Sequence, residues 1–135
     1  MSASTRGDGY AVSSLEAMGE GYGFRKVRRE LEVTAFGINA LVLPPGHETG
    51  VHYHERQEET YFVHRGEVEI NFGDGASHQL GAGGVARVDP GTHRSLRNVG
   101  GEDAIVLVAG GADGYVGRDG QAVGESAQGG PPGAQ

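Results

Sequence analysis

An all-β fold of the sandwich or barrel type is predicted by three observations. Between residue 24 and residue 109 the chain divides into many short apolar stretches at regular spacing. Turn residues separate them, chiefly Gly, which supplies 26 of the 135 residues. One stretch, Glu67 to Phe72, alternates Val68, Ile70 and Phe72 with Glu67, Glu69 and Asn71. That is the period-two pattern of a strand with one face in a core.

The elements follow in order. Residues 1–23 hold few apolar side chains and several Gly, and are expected as a flexible arm that orders only against the domain or a partner. A strand pattern begins at Phe24. Val33 to Leu43 is rich in apolar and β-branched residues and stops at Pro44-Pro45-Gly46. Val51 to Glu55 and Glu59 to His64 are the next strands, the second closed by Arg65-Gly66. After Glu67 to Phe72, the turn Gly73-Asp74-Gly75 leads into Ser77 to Leu80. A Gly-rich turn then leads to Val85 to Asp89, which ends at Pro90-Gly91. His93 to Val99 and Ala104 to Ala109 complete the series. Helical periodicity is no more than a trace around Ser13 to Met18. The domain is therefore placed at residues 24–109, with its motif-bearing core at about 36–109.

Residues 110–135 differ in character. They are Gly-rich, and the final GESAQGGPPGAQ has little to bury against the entropy of ordering. The last dozen residues are expected to be disordered. Asp113 to Val123 is expected either to add an edge strand or to cover a neighbouring subunit.

Composition excludes several functions. With no Cys there is no disulfide framework, thiolate nucleophile or cysteine zinc site. The formal net charge is −7, which opposes phosphate-backbone binding, so no nucleic-acid partner is expected. The basic run Arg25, Lys26, Arg28 and Arg29 reads as a solvated strand or turn. No apolar run is long enough to span a bilayer, and the first residues lack a signal-peptide core, so a cytoplasmic protein without a membrane partner is expected.

Chemistry concentrates in Gly46 to Gly66, GHETGVHYHERQEETYFVHRG. Residues two apart on a strand share a face, so His52 and His54 project together while Tyr53 points away. A turn through Glu55-Arg56-Gln57 starts the next strand, on which Glu59, Tyr61 and Val63 share a face. A carboxylate at the wall of an apolar core needs a cation or a donor. Two imidazoles and a carboxylate are suitable ligands for a divalent metal. His47, His64 and His78 read as surface or interface residues.

These residues resemble the first cupin motif, G(X)5HXH(X)4E(X)6G, with Gly46, His52, His54, Glu59 and Gly66 all in register. The stretch GGVARVDPGTHRSLRN resembles the second motif, G(X)5PXG(X)2H(X)3N, aligned on Gly83, Gly91 and Asn98. There Asp89 stands in place of Pro and Arg94 in place of His. His93 lies one position early, and a one-residue offset turns a side chain to the other face. Strand parity therefore directs His93 away from the metal, unless the loop Pro90-Gly91-Thr92 twists it inward as a fourth ligand.

The resemblance implies a cupin-type double-stranded β-helix, a jelly-roll-like barrel, usually assembled as a homodimer. Phe62 on the outward face is a candidate for that interface. It also implies a metal site formed by His52, His54 and Glu59, holding Fe, Mn, Zn or Ni. Tyr61, Arg94 and Asn98 are the candidate lining of a small-molecule pocket. The expected function is a metal-dependent enzyme of the oxygenase or isomerase/lyase type acting on a small organic molecule. The alternative is a non-catalytic binding or sensing protein whose metal is structural or grips the ligand.

Overall fold

The computed structural model describes residues 4–124. The expectation of disorder over the last dozen residues therefore falls outside the described part, apart from residue 124. A small hairpin pairs β1 (Thr5–Gly7) with β2 (Tyr10–Val12). A short 3-10 helix, Leu15–Met18, follows, capped at its start by the Ser14 hydroxyl. Then come β3 (Gly23–Arg25) and a five-residue helix, α1 (Val27–Leu31). The barrel strands are β4 (Gly37–Leu43), β5 (His52–His54), β6 (Glu58–Arg65), β7 (Val68–Phe72), β8 (Ser77–Leu80), β9 (Val85–Val88), β10 (Arg94–Asn98) and β11 (Ala104–Gly111). The last described strand is β12 (Gly120–Ala122).

Two five-stranded antiparallel sheets face each other, in the orders β12-β5-β10-β7-β8 and β3-β4-β11-β6-β9. Alternation decides what lies between them. On β6, Glu59, Tyr61 and Val63 are buried, while Glu58, Thr60, Phe62 and His64 are exposed. The core gathers Leu41, Leu43, Val63, Val68, Ile70 and Val106 from both sheets. At about 25 cal/mol per Å² of apolar surface, these side chains supply the main drive to fold. Gly66 makes the β6–β7 turn at φ 83°, and a Cβ there would stand 2.9 Å from the Ala104 Cα. Both facts require Gly at that position.

One region, the basic run, departs from the sequence expectation of a solvated strand or turn. The described part of the N-terminal arm lies against the domain. Tyr22 and Phe24 pack against the core, and the Arg6 guanidinium donates to the Glu30 carbonyl and pairs with Glu32. The basic run includes helix α1, which ends on Glu32 in a left-handed conformation. Its Arg25 is buried and donates to the carbonyls of Gly21 and Gly23. At the other end, the chain does add an edge strand, as β12 pairs with β5. Among the described residues no helix is long and apolar enough to cross a membrane.

Candidate metal centre

His52 and His54 lie on β5 in one sheet, and Glu59 opens β6 in the other. The site therefore sits where the two sheets meet at one end of the core. Each of the three residues offers a ligand atom within 4.8 Å of the others.

The hydrogen bonds fix which atoms converge. His52 Nδ1 donates to the Gly50 carbonyl at 3.1 Å, and His54 Nδ1 donates to Asp119 Oδ1 at 2.8 Å. In a neutral imidazole this leaves Nε2 of each ring with a free lone pair. Burial holds the His52 imidazole below its ordinary pKa, which favours the neutral form. On the carboxylate, Glu59 Oε1 accepts from Tyr61 Oη at 2.9 Å and from an Arg94 terminal nitrogen at 2.7 Å. Its Oε2 faces His54 Nε2 at 3.4 Å. Two such atoms at that distance are joined either by a proton or by a cation held between them. Two ligands of one tetrahedral ion bound at about 2.0–2.1 Å stand roughly 3.3–3.4 Å apart. The donor set thus suits a divalent metal, and the His54–Glu59 separation matches two ligands of one ion.

A residue the sequence reading missed completes this arrangement. Asp119 Oδ1 also accepts from Gln57 Nε2 at 2.6 Å, and Oδ2 accepts from the backbone N–H of Arg56 and of Gln57 at 2.8 and 2.9 Å. Burial alone would raise the Asp119 carboxyl. The donors from Gln57, Arg56 and His54 outweigh it and pull the pKa far below the usual carboxylate range. A carboxylate behind a ligating imidazole fixes the ring and its tautomer. Asp119→Ala is expected to weaken divalent-metal affinity about 10- to 100-fold, measured by competition with a chelating dye. Because its pKa is depressed, Asp119 stabilises the fold fully above about pH 4 and loses that contribution as the pH falls. Denaturant titrations at several pH values should therefore show a shallower acid-side slope in the variant. Wild-type affinity and an unchanged slope would remove Asp119 from the site.

The other expected site residues divide. Tyr61 and Arg94 do reach the site, but behind Glu59. Arg94 is wholly buried, and its donors also engage the Tyr61 hydroxyl at 3.2 Å and the Thr92 carbonyl at 2.6 Å. Burial works against its charge, but Tyr61 and Glu59 more than offset that, and the guanidinium stays protonated. Burial and the Glu59 carboxylate hold the Tyr61 phenol well above its ordinary pKa, so it remains a donor. Asn98 is engaged by the backbone. Its Nδ2 donates to the carbonyls of Leu43 and Glu102, and its Oδ1 accepts from the Gly100 N–H, which ties down the β10–β11 turn.

His93 does not join the cluster as a fourth ligand. Its ring stacks on Tyr53, with centroids 4.8 Å apart and planes at 11°. Tyr53 points away from its neighbours His52 and His54, so His93 lies on the outer side of the sheet. Arg94 takes the inward position, paired with His52 across β10 and β5. A guanidinium has no lone pair to offer a metal, so this position supplies a counter-charge to Glu59.

Comparison with known proteins agrees with this architecture. The family model for the cupin domain matches residues 40–110, more than half of the chain. No curated protein matches it significantly. Among solved structures, a protein with a double-stranded beta-helix domain from Klebsiella pneumoniae is 22% identical with TM-score 0.68, covering 84% of this chain and 97% of that one. A sugar phosphate isomerase from Silicibacter pomeroyi is 24% identical with TM-score 0.59, covering 76% of this chain and 59% of that one. A predicted oxalate decarboxylase from Thermotoga maritima is 29% identical with TM-score 0.54, covering 62% of this chain and 71% of that one. This chain thus spans less than two thirds of the Silicibacter protein.

Proposed function

Because this chain belongs to the cupin family, we propose that it binds one divalent metal and acts as a metal-dependent enzyme on a small organic molecule. His52 and His54, through Nε2, and Glu59, through Oε2, would hold the ion. The observation that carries this reading is the convergence of three acceptor atoms whose other polar atoms are already committed to Gly50, Asp119, Arg94 and Tyr61. Two imidazoles and one carboxylate leave positions open for a substrate oxygen or dioxygen. A metal bound there would polarise a substrate oxygen as a Lewis acid.

The surrounding residues narrow the chemistry. Tyr61 and Arg94 are spent on Glu59, and Asn98 on backbone carbonyls. Among the sequence-predicted pocket residues, none stands free as a general acid or base. The reaction would therefore draw on the metal, with Arg94 and Tyr61 holding the carboxylate in place. The sugar phosphate isomerase and predicted oxalate decarboxylase among the similar structures accord with an enzymatic reading, as analogy of fold. The same shortage of free polar groups favours the second reading, a non-catalytic sensor that grips its ligand through the metal.

Metal analysis of protein purified without chelators tests the shared premise. About one divalent ion per chain is expected, removable by a chelator and restorable by Fe, Mn, Zn or Ni. Metal at background level, with no ion raising the melting temperature, would remove both readings.

A further inference from the structure

A polar cavity is lined by residues other than the metal-site cluster. It measures ≈ 130 Å³ and is lined by Lys26, Arg28, Arg29, Asn39, Tyr115 and Arg118. Four of these six side chains are cationic, in a protein whose net charge is −7. The ion pairs among the described residues use Arg6, Arg65, Arg87, Arg94, Arg97 and His54, and none uses the four cations of this cavity. The acids near these cations in sequence have other partners, Asp119 being held by His54, Gln57 and the Arg56 and Gln57 backbone. Glu30 accepts from the Ser4 hydroxyl, and Glu32 pairs with Arg6 at 3.5 Å.

The cations also press on one another. Burial, Arg29 and Arg118 together hold the Lys26 ammonium below its ordinary pKa. The Arg28 guanidinium is held in place over the Tyr115 ring at 3.9 Å. Arg118 keeps a left-handed backbone at φ 46°, where a side chain is costly and Gly would be relaxed. Like charges gathered from two distant segments around one small polar space make it a favourable place for an anion.

We propose that this cavity binds a phosphate dianion, free or carried as a small monoester. The guanidinium forks of Arg28, Arg29 and Arg118 suit its oxygens, Lys26 supplies a further charge, and Asn39 and Tyr115 add polar edges. The space is that of roughly four waters, which suits one phosphate group and excludes a polymer backbone lying along it. The site needs no metal.

Calorimetric titration of inorganic phosphate and of glycerol phosphate into metal-free protein, at fixed ionic strength, tests this. Saturable one-to-one binding is expected, weakened at least tenfold in the Lys26→Gln, Arg118→Gln double variant. It should be unchanged in His52→Ala, which separates it from any anion held at the metal centre. Tighter binding of the ester identifies a phosphomonoester ligand, and tighter binding of the free ion identifies phosphate itself. Should the double variant misfold, Arg29→Gln at an exposed position should still weaken binding several-fold. A wild-type response no greater than that to chloride, or equal affinity in wild type and in the charge variants, would overturn the proposal.

Discussion

The His52→Ala, His54→Ala double variant is expected to hold no stoichiometric divalent metal while keeping its fold. Each substitution removes an Nε2 donor, and Glu59 alone cannot retain an ion against water and Arg94. The fold should survive because the apolar core is built from other residues, chiefly aliphatic ones of both sheets. Asp119 keeps its bonds to Gln57 and to the Arg56 and Gln57 backbone. The stability cost should therefore stay near that of two lost hydrogen bonds and a partly buried cavity, about 2–4 kcal/mol. Metal content and cooperative urea unfolding check the two halves separately. Full metal occupancy in the variant would show that other residues bind the ion.

Arg94→Met is expected to give the largest loss of stability. The guanidinium is fully buried and lies 2.7 Å from a carboxylate that is itself 8% exposed. Removing one partner of a buried pair leaves the other charge uncompensated, which costs about 3–5 kcal/mol. Met fills similar volume, so the effect reads charge rather than a cavity. A divalent metal on Glu59 Oε2 would restore a counter-charge, so metal should recover part of the loss. Urea unfolding of the metal-free and metal-loaded variant measures both. A loss under about 1 kcal/mol, or one untouched by metal, would show that Arg94 does not hold the Glu59 charge.

What could be read in the sequence was local. Alternation along Glu58–Arg65 placed Glu59 and Tyr61 inward and Phe62 outward, because a strand gives each residue one of two sides. The same rule put Arg94 inside, where it now meets Glu59. Asp119 could not be found this way. It lies 65 residues from His54, and its role follows from the path of a Gly-rich segment with no periodic signal. Asn98 was placed on the correct strand, but its bonds to the Leu43 and Glu102 carbonyls were not legible, since parity shows direction and not which carbonyls wait there. Helix α1 escaped notice because five residues are too few to show a helical period, and their charges matched a solvated turn.

The strand that bears His52 and His54 has little hold on the rest of its sheet beyond β12. Only His52 pairs with β10, through Arg94, whereas all three residues of β5 pair with β12. The ligand strand is therefore secured mainly by the chain's final described strand, whose preceding residue, Asp119, also orients His54. If β12 lifts, the short β5 loses most of its ladder and becomes an open sheet edge. Local opening would then proceed as one cooperative unit, with strand release, loss of the imidazole's orientation and ion escape occurring together. Such coupling would make the retention time of an ion bound there a kinetic property of β12, set by how often that last described strand detaches.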